Sequence, residues 1–263
     1  MISHFFKVLL AICKVTFSEM IRDKVLYNII LISILLLAIG FLASQFSFIR
    51  PERVVLDFGL SAINLSCALI AILGGSSLLG KEFERRTAHV TLSHPISRAQ
   101  FVLGKYFGLL SVVLLNGLLL SIIHILILSY TSYEISSVLH KTYFVALTFI
   151  LIQSVMISAL AILFSSFTTT SLSVIFSIGC YLVGNNISQL KYLLTKISHV
   201  GGKFLLKVII FLFPNYEYFN LGFKVTYGLS VPWMHVLASL TYGICFTCFV
   251  LFLSAILIEL REV

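Results

Sequence analysis

Residues 80–105 read "GKEFERRTAHVTLSHPISRAQFVLGK". Seven charged residues gather here: Lys81, Glu82, Glu84, Arg85, Arg86, Arg98 and Lys105. On either side, residues 58–80 and 106–133 carry no charge at all. A helix crosses the hydrocarbon core of a bilayer with roughly 20 apolar residues, so each flank is long enough to cross. The same pattern recurs at 25–49, 142–190 and 225–258, none of which holds a charged residue. Over the 263 residues, 59% are hydrophobic and 11% charged, and mean hydropathy is +1.08. A soluble domain carries about 25% charged residues, so the composition is that of an integral membrane protein. A membrane β-barrel would need segments of about 10 residues alternating in polarity. Continuous runs such as "NIILISILLLAIGFL" (residues 28–42) instead predict helices, which satisfy every backbone group internally, as lipid requires.

The runs predict an all-α polytopic membrane protein, one transmembrane domain over 1–263. Its six spans fall at about 26–46, 58–79, 101–126, 143–164, 172–187 and 235–258. The uncharged run 142–190 holds two of them, divided by the polar turn "SSFTTTS" (165–171). Residues 47–57 read as a short loop. Residues 188–232 depart from the pattern. They hold Lys191, Lys196, Lys203, Lys207 and Lys224, and an apolar piece at 204–213 too short to cross, which reads as re-entrant or interfacial. Residues 1–24 are no signal peptide, because charges at Lys7, Lys14, Glu19, Arg22, Asp23 and Lys24 interrupt any apolar core. Phe5, Val8, Leu9, Ile12 and Val15 recur at helical spacing, with Lys7, Lys14, Ser18 and Arg22 on another face. This is the pattern of an amphipathic helix lying in the interface; the alternative is a simple exposed extension. Six spans put both termini on one side. With that side cytoplasmic, inner segments carry ten Lys/Arg and outer segments eight; over the early loops alone the count is nine to two. The positive-inside rule gives early segments the greater weight, and the expected placement is an inner or plasma membrane with both termini in the cytoplasm. The five lysines of 188–232 run against it.

Several motifs carry possible chemistry. Gly75…Gly80-Lys81 has the G-x-x-x-x-G-K shape of a phosphate loop, but Glu82 stands where a Ser or Thr must hold magnesium, and an apolar span runs through it. The chain therefore has no ATP site. Cys245 and Cys248 form a CxxC whose i,i+3 spacing puts both thiols on one helix face. Such a pair could bind a soft metal or cycle as a disulfide, or simply pack as small residues. Ser97-Arg98-Ala99-Gln100 fits a capping box, with Pro95 ending whatever precedes it. Between the second span and that cap, 87–93 is long enough for two turns of helix parallel to the membrane. A basic loop of this kind either fixes topology or docks a partner. Asn64, Asn116, His124 and Gln153 sit inside spans, where polar groups facing lipid are costly. They either line a translocation path or join helices by hydrogen bonds.

"GKEFERRTAHVTLSHPISRAQFVLGKYFG" resembles the loop after the second span in ABC type-2 transporter permeases. Glu82 and Glu84 match that family's two acids, Thr87 its threonine, Pro95-Ile96-Ser97-Arg98 its Pro-Val/Ile-Ser-Arg, and Gly104-Lys105 its Gly-Lys. Arg86 replaces the usual glycine, and His89 and Thr91 thin its run of leucines. "RDKVLYNIILI" (22–32) resembles the start of the family's first span, and "FPNYEYFNLGF" (213–223) a segment before its last. With Arg85-Arg86-Thr87, these are most similar to the branch containing the permease of nitrous-oxide reductase copper-site maturation.

The resemblance implies a catalytically silent permease subunit. Its 80–100 segment would be a cytoplasmic coupling helix docked on a separate ABC ATPase through Glu82, Glu84, Arg85, Arg86, Thr87, Val90, Leu92, Pro95 and Arg98. Its N-terminus would be an elbow helix, and 188–232 would form short helices at the outer mouth. It implies two permeases and two ATPases per transporter, ATP and Mg on the partner only, and no cofactor, metal or nucleic acid on this chain. The substrate would be moved, in the direction of export, within membrane lipid. Two other readings stand beside it. An ATP-independent secondary transporter would need ionisable groups at the midplane, and only one histidine, His124, and no acid lies deep in a span. An intramembrane enzyme would have to draw on Cys245, Cys248 and His124.

Overall fold

The computed structural model describes residues 2–47, 50–84, 97–131, 141–197 and 199–260. All secondary structure among them is helical. α1 (Ile2–Ile21) leads through a two-residue corner into α2 (Lys24–Gln45), which Asp23 caps by accepting the Val25 N–H at 3.0 Å. A carboxylate there also complements the positive end of the helix dipole. α3 (Pro51–Glu84) and α4 (Arg98–Thr131) are each 34 residues long, about 50 Å at the α-helical rise. α5 (Lys141–Phe167) is followed by α6 (Thr170–Gly184), α7 (Ile187–Lys196) and α8 (Val200–Leu212). A 3₁₀ turn at Glu217–Phe219 and α9 (Gly222–Thr226) lead to α10 (Trp233–Leu260).

The chain is thus an all-α, polytopic membrane protein. Among the described residues five helices (α2, α3, α4, α5 and α10) are long and apolar enough to cross a bilayer, and α6 with α7, bent by 67° at their junction, make a sixth if taken as one span. α6 alone has 15 residues, about 22 Å, short of the roughly 30 Å hydrocarbon core. It stops where the chain returns against it. A Cβ on Gly184 would meet the Pro214 carbonyl at 2.5 Å, and the Tyr216 N–H donates to the Gly184 carbonyl at 3.0 Å. The side-chain amides of Asn185 and Asn186 donate to the Tyr181 and Leu182 carbonyls, closing the helix end.

Two sequence expectations need correction. Residues 47–57 do not form a loop throughout, because α3 begins at Pro51. Proline is favoured at a first helical position, where its missing N–H costs nothing, and Glu52 in the first turn suits the dipole. The expected apolar row of α1 packs through Ile12 but not through Val15. Val15 is exposed, while Thr16 and Met20 are buried. α1 lies along α4 at two glycines: a Cβ at Gly104 would fall 2.7 Å from Ile12 Cβ, and one at Gly108 would fall 2.6 Å from Thr16 Cβ. Only glycine lets the two backbones come this close. Lys105, 5% exposed, carries its charge to Glu19 at 3.6 Å and lies 5.9 Å from the Phe101 ring centroid. Lys7 and Lys14 remain exposed. α1 is therefore a docked helix rather than a loose extension.

α3 and α5 run parallel through the centre; α2 and α6 pack on α3, and α4 and α10 close the far side. The 213–232 stretch is tied to the end of the bundle away from Glu84. Thr226 Oγ1 donates to the Asp57 carboxylate, Arg53 stands 5.0 Å from the Tyr227 ring centroid, and Glu217 accepts the Ser188 N–H at 2.8 Å at the start of α7. Tyr216 is fully enclosed at the base of this stretch, and burial pushes its phenol well above its ordinary range.

Candidate functional site

The charged stretch that opens the sequence divides into ends that the structure describes and a middle that it does not. The backbone of Glu82 and Glu84 lies in the last turn of α3. Arg85, Arg86, Thr87, Val90, Leu92 and Pro95 lie outside the described residues. On the far side the capping box forms: the Ser97 N–H donates to Gln100 Oε1 at 2.9 Å, and the Gln100 N–H donates to Ser97 Oγ at 3.3 Å. Arg98 does more than start α4. Its Nη1 donates to the carbonyls of Ile258 at 2.5 Å and Glu259 at 2.7 Å. A guanidinium thus closes the C-terminus of α10, where a cation suits the dipole.

The segment from Gly75 to Gly80 has a packing role. A Cβ at Gly75 would lie 2.7 Å from Ala161 Cβ. The Gly80 N–H donates to Ser165 Oγ at 2.8 Å, and Ser165 Oγ donates to the Ser76 carbonyl at 2.7 Å. Ser173 Oγ donates to the Ala161 carbonyl at 3.1 Å and lies 3.0 Å from Ser76 Oγ. These serines join α3, α5 and α6 just short of the charged stretch.

The four polar residues of the spans separate into two kinds. His124 and Asn116 hold helices together. His124, fully buried, donates from Nε2 to the Val55 carbonyl at 3.1 Å, so Nδ1 is left to accept the Tyr143 O–H at 3.0 Å. Asn116 donates to Ser66 Oγ at 2.9 Å. Asn64 instead lines a cavity of about 410 Å³ between α3, α5 and the end of α6, together with Ser61, Asn185, Asn186 and Asn220. Gln153 reaches that wall by donating to Asn185 Oδ1 at 3.2 Å. The buried amide oxygens of Asn64, Asn116 and Gln153 accept no hydrogen bond among the described residues.

The His124 pair gives a direct test. Tyr143→Phe alone strands Nδ1, and His124→Leu alone strands the Tyr143 hydroxyl and removes the bond to the Val55 carbonyl. A double-mutant cycle on thermal stability in detergent is expected to give a coupling of about 0.6–1.7 kcal/mol, the range for hydrogen bonds within membranes. A coupling of zero would remove the pair as a structural joint.

A comparison with protein families now decides what this architecture belongs to. Residues 10–199, more than two thirds of the chain, from the middle of α1 through the end of α7, match the family model described as ABC-2 family transporter protein. The chain belongs to the ABC-2 transporter family. No curated protein matches it. Membership fits the long uncharged helices, and it means in general terms a permease that works with an ABC ATPase. In this ABC-2 chain Cys245 and Cys248 are both exposed on α10, and no group of three or more His, Cys, Asp or Glu side chains among the described residues could hold a metal. His124 lies apart from them, against Val55 and Tyr143.

Sequence reasoning passed over Ser61, Asn185, Asn186 and Asn220. The only signal was the pair Asn185-Asn186 at the end of an apolar run, which also marks the break after α6. Which amide would face Gln153 depends on how α6 sits against α5, and no local pattern encodes that.

Proposed function

We propose that this ABC-2 chain is the permease subunit of an exporter, working as a homodimer, with ATP and Mg held by a separate ABC ATPase. Both termini would face the cytoplasm, and residues 82–98 would dock on that ATPase. One observation carries the reading. The helices that flank the charged stretch, α3 and α4, are each about 50 Å long and so outreach the roughly 30 Å hydrocarbon core by some 20 Å. The two ends of the stretch, Glu84 and Ser97, thus sit on stiff supports that run the full depth of the bundle, and the stretch itself would stand beyond the lipid. ATP-driven movement of the partner would tilt these supports as rigid bodies. The serine joint at Ser76, Ser165 and Ser173 would carry the tilt to α5 and α6, and Arg98 would carry it to α10. The amide-lined cavity at Asn64 and Asn185 would be the part of the path that meets substrate. Likeness to the nitrous-oxide reductase maturation branch rests on the residues quoted from the sequence.

The test is co-expression with a candidate ABC ATPase and recovery of the complex on an affinity column. Reversing charge at Glu84 and Arg85 together is expected to lower recovery about tenfold or more, as loss of complementary charge at an interface does. Full recovery would sink the docking role. An ATP-independent transporter would show transport in vesicles without the ATPase.

A further inference from the structure

Besides the amide-lined cavity there is a larger and chemically opposite one. α6 and α10 both pack on α5 and leave a slot of about 650 Å³ between them. Its wall includes Phe164, Phe176, Gly179 and Phe249, and Phe213 and Pro214 close one end. No lining side chain carries a charge, an amide or a hydroxyl. Water needs two to four polar partners to settle in a cavity, and this wall offers none. Along α6 the slot runs from Ile175 to Val183, about 12 Å at the helical rise. That is close to half of the hydrocarbon core, the depth of a single leaflet. The other end lies by Phe167, next to the turn between α5 and α6, on the side of the charged stretch, where Thr170 meets Gly80. The closed end lies at the stop of α6, where the Tyr216 N–H bond to Gly184 fixes Pro214 in place.

We propose that this slot binds one acyl chain of a membrane lipid from the leaflet on the side of the charged stretch, its methyl end against Phe213 and Pro214. Gly179 sets the width. A Cβ built there meets nothing within 4 Å, so the wall is set back at the point where a chain would pass. Phe164 and Phe176, with ring centroids 5.7 Å apart, form the neighbouring surface. A second copy of the protein is a poorer fit. The slot is a recess between two helices, whereas the outward row of α6, Ile178 and Leu182, stands exposed beside it. The acyl chain would fill the space that α6, by ending early, leaves beneath α8.

The full chain is reconstituted in dioleoyl-phosphatidylcholine vesicles holding a trace of phosphatidylcholine with a photoreactive diazirine at the end of one acyl chain. After illumination, labelled peptides are mapped by mass spectrometry. Label is expected at 212–214 and 179–183, above the level found on Leu31 and Leu35 of α2, which face lipid without a recess. Gly179→Phe fills the slot and should cut label at 212–214 by about tenfold or more, the loss expected when as few as two methylene groups are shut out. Label on α2 should not change, which shows that the variant is folded. Gly201→Phe, at an equally open glycine on α8, should leave both unchanged. The proposal fails if Gly179→Phe keeps full label at 212–214, or if the wild type labels 212–214 no more than α2. It also fails if Gly179→Phe instead separates copies of the protein that cross-link in the wild type.

Discussion

Gly59→Leu should leave the protein unable to hold its bundle. Any Cβ at Gly59 runs into the imidazole of His124. That ring cannot swing aside, because the Val55 carbonyl holds one nitrogen and the Tyr143 hydroxyl the other. Overpacking a tight core costs about 1–3 kcal/mol, and two buried hydrogen bonds are lost besides, each about 1 kcal/mol. The sum, about 3–5 kcal/mol, is a large part of the 5–15 kcal/mol that holds an ordinary domain. The expected result is little monodisperse protein on size exclusion in detergent, and a sharp fall in the thermal midpoint of what remains. Gly59→Ala combined with His124→Ala should be more stable than Gly59→Ala alone, since removing the ring makes room. A Gly59→Leu protein as stable as wild type would show that α3 does not lie against α4 in this way.

Arg98→Ala is the second large effect. Hydrogen bonds from a charged donor are worth about 1.5–3 kcal/mol, and Arg98 gives two to the last carbonyls of α10. A loss of about 2–3 kcal/mol in stability is expected, with faster amide exchange over 255–260. Arg98→Lys keeps the charge but loses the planar fork, so it should recover only part. Unchanged exchange at the end of α10 in Arg98→Ala would overturn the joint. In the sequence, Arg98 reads as one more charge on a docking surface. Its guanidinium also reaches the end of α10, and a partner 160 residues away cannot be found from spacing.

That contrast marks how far the sequence could be read. The spans follow from apolar runs, because lipid leaves the backbone no choice but a helix. The capping box at Ser97 is legible for the same reason that it forms, since both of its hydrogen bonds close within three residues. The tertiary joints are not legible. Gly104 reads only as half of a Gly-Lys motif and Gly108 as an ordinary glycine until α1 is placed on them, and the packed face of α1 passes through Thr16 where its apolar residues pointed to Val15. The stop of α6 at Gly184 is set by a carbonyl from Pro214, on a separate segment. Of the candidate site, Asn64 and Gln153 stand out as polar groups in apolar runs. Asn185, Asn186 and Asn220 join them only because the chain folds back.

α3 runs unbroken from Pro51 to Glu84, and that continuity fixes how force and travel are exchanged along it. A rod about 50 Å long that pivots near its middle, where Asn64 and Ser66 lie, works as a balanced beam. A tilt of about 5° displaces each tip by about 2 Å, in opposite directions. Asp57, and through it Thr226 at the far mouth, would therefore swing outward whenever Glu84 is drawn inward. Opening on one face and closing on the other would be a single stroke of one helix, with no relay of side chains to be timed between them.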